Sequence, residues 1–158
     1  MTLERRIAAL FAMDEAAWAR HTNPWSGWTR LPALSMIALA VWSRDWIGAW
    51  AWLALAFVLA WVWVNPRIFP APAHQRAWIS RAVLGERLWL ARDETPVPAH
   101  HRLMPHLLSG LVAAGVLLVI WGLVALDPAP LFAGLVMNLL GKLWFLDRMV
   151  WLHEDMTG

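Results

Sequence analysis

The chain has 158 residues, 60% of them hydrophobic, with a mean hydropathy of +0.50. One soluble domain of this length has no use for so much apolar surface, so lipid is expected as a second solvent. Thirteen Lys and Arg against eleven Asp and Glu leave +2, a balance with no nucleic-acid-binding signal, and the absence of cysteine excludes disulfides, thiolate metal sites and c-type haem attachment.

Fourteen tryptophans and no tyrosine, placed near the ends of apolar runs, fit aromatic belts at headgroup level. The N-terminal MTLERRIAALFAMDE has acids on both sides of a short apolar run and is not expected to be a cleavable signal. Leu3, Ile7, Leu10, Phe11 and Trp18 share one side at helical spacing, which predicts an amphipathic helix over 3–20 lying on the membrane surface.

Asn23-Pro24 should end that helix. A first span over 28–42 follows, flanked by Trp25 and Trp28. It is short, rising about 22 Å against a hydrocarbon core of about 30 Å. Snorkelling by Arg30 and Arg44 or local thinning would close the gap, and a re-entrant segment is the alternative. The second span, 46–64, is uninterrupted, and Asn65-Pro66 should stop it.

Residues 65–106 form the one long polar segment. Within it, 75–92 reads as a second interfacial helix. Trp78, Ile79, Ala82, Val83, Trp89 and Leu90 share a face, and Arg76, Arg81, Arg87 and Arg92 lie off it. Glu86 falls in the middle of the apolar face. The third span, 106–126, has Ser109 with Ala113 and Gly110 with Ala114 in register, a small-residue pattern that permits close helix contact. After Asp127-Pro128-Ala129-Pro130 comes the fourth span, 131–151, where Gly134, Asn138 and Gly141 share a second packing seam.

Basic residues gather before the first span and between the second and third. The positive-inside rule therefore predicts both termini and 65–106 on the cytoplasmic side, with two tight outer hairpins. The predicted architecture is all-α: an integral membrane four-helix bundle with two interfacial amphipathic helices on the cytoplasmic side.

Chemistry is harder to place. All six histidines fall on the predicted cytoplasmic side. His100, His101, His106 and His153 are weak metal candidates, because a proline-interrupted loop carries the first three and no HxxxH, HxxHH or HExxH box is present. A haem between His106 and His153 has less support still. No cofactor is expected.

The fourth span carries Asn138, Lys142, Asp147 and Arg148. Its apolar residues contribute roughly −3 to −5 kcal/mol to insertion, and one central lysine costs about +2.5 to +3.5 kcal/mol. Lys142 must snorkel or be paired. Glu86 is anomalous for the same reason, so the surface helix is expected to dock with Glu86 against a cation: Lys142, Arg148 or Arg30. Arg81, Arg87 and Arg92 are assigned to lipid phosphates.

HTNPWSGWTR, VNPRIFP, WISRAVLGERLWL and GKLWFLDRM, which together run from about residue 18 to 151, resemble a prokaryotic domain-of-unknown-function family of small membrane proteins. The resemblance implies no activity. It implies that Asn23, Pro24, Trp25, Asn65, Pro66, Glu86, Arg87, Lys142 and Asp147 belong to recurring motifs, and that the helix before Asp14 lies outside the shared region.

Three function classes compete. A structural or accessory subunit that packs with partner membrane proteins or itself fits the small size, tight turns, glycine seams and lack of a catalytic motif. A membrane-embedded enzyme would use the cytoplasmic His/carboxylate groups, with or without a metal, or act on a lipid headgroup. A transporter or homo-oligomeric pore would be lined by Asn138 and Lys142, but no span is broken at mid-membrane and no inverted repeat is evident. The first class is favoured, in the inner membrane of a prokaryotic cell, with no nucleic-acid partner.

Overall fold

The computed structural model describes residues 15–158. Among them every regular element is helical. In chain order these are α1 (Glu15–His21), α2 (Pro24–Arg30), α3 (Ala33–Trp42), α4 (Arg44–Ile47), α5 (Trp50–Ile68), α6 (Trp78–Leu90), a 3-10 turn (Ala99–His101), α7 (Leu103–Ala125) and α8 (Pro128–Thr157). Most of the helix expected over 3–20 lies outside the described residues.

Among the described residues three helices are long and apolar enough to cross a membrane: α5, α7 with the turn before it, and α8. The first predicted span is not one helix. Pro32 removes a backbone donor and breaks the segment after Arg30, so 28–42 divides between α2 and the ten-residue α3. Asn65-Pro66 does not stop the second span either. The helix starts later, at Trp50 after a break at Gly48 (φ 56°), and runs on to Ile68 with Pro66 in its last turns.

α8 begins on a clear signal. Asp127 caps it by accepting from the Ala129 N–H, and Pro128 occupies the first helical position, where no donor is needed. At thirty residues it is about 45 Å long, more than a hydrocarbon core requires, so its polar C-terminal turns extend beyond the apolar run.

α7 and α8 share the most extensive packing in the fold. Their seam runs through Gly115, Val119 and Gly122 on α7 and Leu131, Gly134 and Gly141 on α8, all buried. A Cβ on Gly115 would lie 2.8 Å from the Asn138 nitrogen, and one on Gly134 would lie 2.6 Å from the Gly115 carbonyl oxygen. The seam is therefore glycine against backbone, as expected for α8. On α7 the expected register is corrected. Gly110, Ala113 and Ala114 are exposed, and a Cβ at Gly110 would meet nothing within 4 Å. Small residues mark a close contact only where the partner helix also approaches, which spacing alone does not tell.

α6 packs across the opposite end of α8. Ile79, Ala82, Val83 and Trp89 are buried, as the apolar face requires, and Ile79, Ala82 and Trp89 join Leu146, Met149, Val150 and Leu152 of α8 in two core clusters. A third cluster joins Ala38 of α3 to Val119, Leu123 and Leu131. Beyond it, the Arg44 guanidinium donates to the Leu123 carbonyl, so α3 runs to the same end of the molecule as the C-terminus of α7. Outward faces carry large apolar side chains, among them Trp50, Trp52, Phe57, Leu117, Trp121 and Phe132, a surface suited to lipid.

Candidate functional site

The segment 21–30 is held by a directed chain of hydrogen bonds. Arg30 has only donors, so its Nη1, 3.0 Å from His21 Nε2, makes that nitrogen an acceptor. The imidazole proton is then on Nδ1, which donates to Ser26 Oγ at 3.0 Å. Ser26 donates to Asn65 Oδ1 at 3.0 Å, the Asn65 amide donates to Thr29 Oγ1 at 2.8 Å, and Thr29 closes the chain on the Trp25 carbonyl at 2.6 Å. Ser26 and Asn65 are both 0% exposed.

Three further bonds tie the same segment to its surroundings. Asn23 caps α2 through the Trp25 N–H while its amide donates to the Pro70 carbonyl, and Ser80 of α6 donates to the Thr22 carbonyl. The polar letters of HTNPWSGWTR thus join α1 and α2 to α5 and α6. Sequence reading treated this stretch as a turn and took Asn65 for a stop signal. An asparagine within an apolar helix was the available clue, since such a group needs partners.

Two members of this network, His21 and Arg30, line a half-enclosed cavity of about 260 Å³. His21 and Arg30 reach it from α1 and α2, Glu86 from α6, and Asn138 and Lys142 from α8, with Val112 of α7, Val62 of α5 and Leu146 of α8 among the apolar residues that line the rest. Of the cations that Glu86 was expected to meet, Arg30 and Lys142 share its cavity, and Arg148 does not line it. The Asn138 amide donates to the Val112 carbonyl at 3.4 Å, and Lys142 Nζ lies 5.7 Å from the centre of the Phe145 ring.

The remaining expected site residues are placed elsewhere. Asp147 accepts from the Trp78 indole at 3.3 Å, and Trp78 stacks on Trp28. The Arg148 guanidinium lies over Trp151. Arg81 pairs with Glu154 and Arg87 with Glu15, while Arg92 donates to the Trp89 carbonyl and covers its ring. Of the four histidines, His100 and His101 meet, and both meet Asp155. His106 packs edge-on against Trp89, and His153 lies apart with its Nδ1 buried.

Burial, with the Arg30 charge beside it, pushes the His21 imidazole down to about 4. The folded protein thus keeps His21 neutral where an unfolded chain would protonate it near 6.5. Below pH 6.5 unfolding takes up a proton, so stability falls as the pH drops and levels off near pH 4. The loss reaches roughly 3 kcal/mol. Thermal unfolding in detergent should show this slope between pH 6.5 and 5, and His21→Asn should flatten it. Equal slopes in both proteins would show that His21 is not the buried neutral group.

Residues 2–158 match the model of one protein family, described as a family of unknown function (DUF6653), so the segment before Asp14, expected to lie outside the shared region, falls within it. No curated protein and no solved structure matches the chain.

Proposed function

The chain belongs to this family of unknown function, DUF6653, and from its own cavity we propose that it is a non-catalytic accessory protein of a prokaryotic inner membrane that binds a small anionic group. The observation that carries this is the convergence of His21, Arg30, Glu86, Asn138 and Lys142 on one cavity. Two cations against one carboxylate, with His21 neutral, leave one positive charge, the complement of a monoanion. The volume, near the lower end for ligand pockets, suits a phosphate-sized group. Charges surrounded by aliphatic side chains are costly to maintain, and a bound anion would offset that cost.

The topology that goes with this has four crossings. α2 and α3 together make the first, which Arg44 at the Leu123 end supports. Both termini and the 65–106 segment lie in the cytoplasm, where the arginines gather. This places the cavity at the inner boundary of the bilayer, within reach of the cytoplasm. Arg81 and Arg87 keep enough exposure to contact lipid phosphates besides their ion pairs. Asn138 and Lys142 line a cavity within one chain, which favours a ligand site over a pore shared between copies.

The test is binding of inorganic phosphate, and separately of a short-chain phosphatidylglycerol, to tag-free protein in a non-ionic detergent. At least one probe should bind one per chain. Lys142→Met should weaken that binding at least tenfold, and Glu86→Gln, which removes the competing carboxylate, should hold or strengthen it. The stronger probe distinguishes a free anion from a lipid headgroup. Failure of both to bind, or binding that Lys142→Met leaves unchanged, would overturn the proposal.

A further inference from the structure

Away from the charged cavity, metal-ligating side chains meet at one other place among the described residues. We infer that His100, His101 and Asp155 form a binding site for a zinc-like divalent transition ion. The Nε2 atoms of His100 and His101 lie 2.9 and 2.8 Å from the same Asp155 oxygen, Oδ2. All three donor atoms fall within 4.8 Å of one another. Ligands bound at about 2.0–2.1 Å in a tetrahedron stand about 3.3 Å apart. Each imidazole–carboxylate separation needs to open by only a few tenths of an ångström to reach that spacing, with the two imidazole nitrogens adjusting from within 4.8 Å of each other.

The donor chemistry agrees with the geometry. Two imidazoles and one carboxylate suit zinc and its neighbours, whereas calcium and magnesium prefer all-oxygen shells. Three protein ligands leave a fourth position, and the exposure of His100 and Asp155 opens it to water. His101 is the fixed member of the set. Its side chain is 4% exposed, and its backbone N–H donates to the Pro98 carbonyl within the 3-10 turn. Without an ion, a neutral imidazole donates its Nε2 proton to the carboxylate. To bind the ion each ring carries that proton on Nδ1 instead, so the Nε2 lone pair faces the metal.

The position gives the ion a structural role. His100 and His101 end the connector between α6 and α7, and Asp155 lies in the last turns of α8. The ion would clip that connector to the C-terminal end of α8, joining residues 54 and 55 positions apart. None of the three lines the charged cavity, so this inference stands independently of the anion site.

The test uses tag-free, chelator-treated protein in detergent, titrated calorimetrically with zinc ion and followed by cobalt absorption. One ion per chain with micromolar or tighter affinity is expected, with a tetrahedral cobalt spectrum. His100→Ala and Asp155→Asn should each weaken binding at least tenfold, whereas His106→Ala should leave it unchanged. His100 is exposed, so its loss leaves the fold intact, and circular dichroism verifies that. The absence of stoichiometric binding, or binding indifferent to both His100→Ala and Asp155→Asn, would overturn the site.

Discussion

Gly85→Ala is expected to lower the stability of this protein by on the order of 3 kcal/mol or more, enough to lose the folded state in mild detergent. Alanine is ordinarily the better helix residue, and on propensity alone the change would stabilise α6 by up to about 1 kcal/mol. Here its methyl would fall on the Met149 carbonyl, inside van der Waals contact with the α8 backbone. Backbone cannot rotate away as a side chain can, so α6 must lift from α8. Lifting would open the clusters that bury Trp89, Met149 and Leu152 on one side and Ile79, Ala82, Leu146 and Val150 on the other. Gly110→Ala is the matched control. It adds the same methyl to the long apolar helix α7 where nothing lies within 4 Å, and should be neutral or slightly stabilising. Thermal unfolding of the two variants side by side decides the matter. Equal midpoints would mean that α6 does not pack through Gly85.

Asn65→Leu should be the most damaging change among the polar residues. Leucine is close to asparagine in size, so the effect comes from hydrogen bonding more than from a cavity. The amide accepts from Ser26 and donates to Thr29 at a site fully closed to solvent. Removing it leaves the Ser26 hydroxyl without its acceptor and frees Thr29. Each buried group left unsatisfied costs about 1–3 kcal/mol. The damage would spread along the chain, because Ser26 is also what holds the Nδ1–H of His21 in place. A loss of about 3 kcal/mol or more is expected, together with loss of anion binding as His21 and Arg30 come free. Ser26→Ala interrupts the same chain one step earlier and should reproduce part of both effects. If Asn65→Leu unfolds at the wild-type temperature, the network does not anchor α2 to α5.

These two residues also show where sequence reading runs out. Periodicity was enough to find the buried face of α6, because apolar residues at helical spacing have no other place to go. It also made Glu86 stand out as a charge on the wrong side. It had nothing to say about Gly85, which has no side chain to enter a hydrophobic pattern. Asn65 was visible as a polar residue in an apolar run. Its adjacent proline suggested a turn, and only the position of Ser26, thirty-nine residues away, shows that it is a buried anchor.

By itself the sequence determined the helical class and roughly where the long apolar helices lie, although it expected four spans where three helices among the described residues are long and apolar enough to cross a membrane. These are consequences of composition and of local spacing along the backbone. Tertiary structure decided which glycines touch, that Pro32 breaks the first apolar run before a short helix, and that Arg30 and Lys142, but not Arg148, share the cavity of Glu86. It also brought Asp155 to His100 and His101. Each of these depends on how the helices approach and rotate against one another, and the side-chain pattern of a single helix does not specify its partner's register. The charged groups of α8 divide accordingly, with Asn138 and Lys142 in the cavity and Asp147 and Arg148 on indole partners outside it.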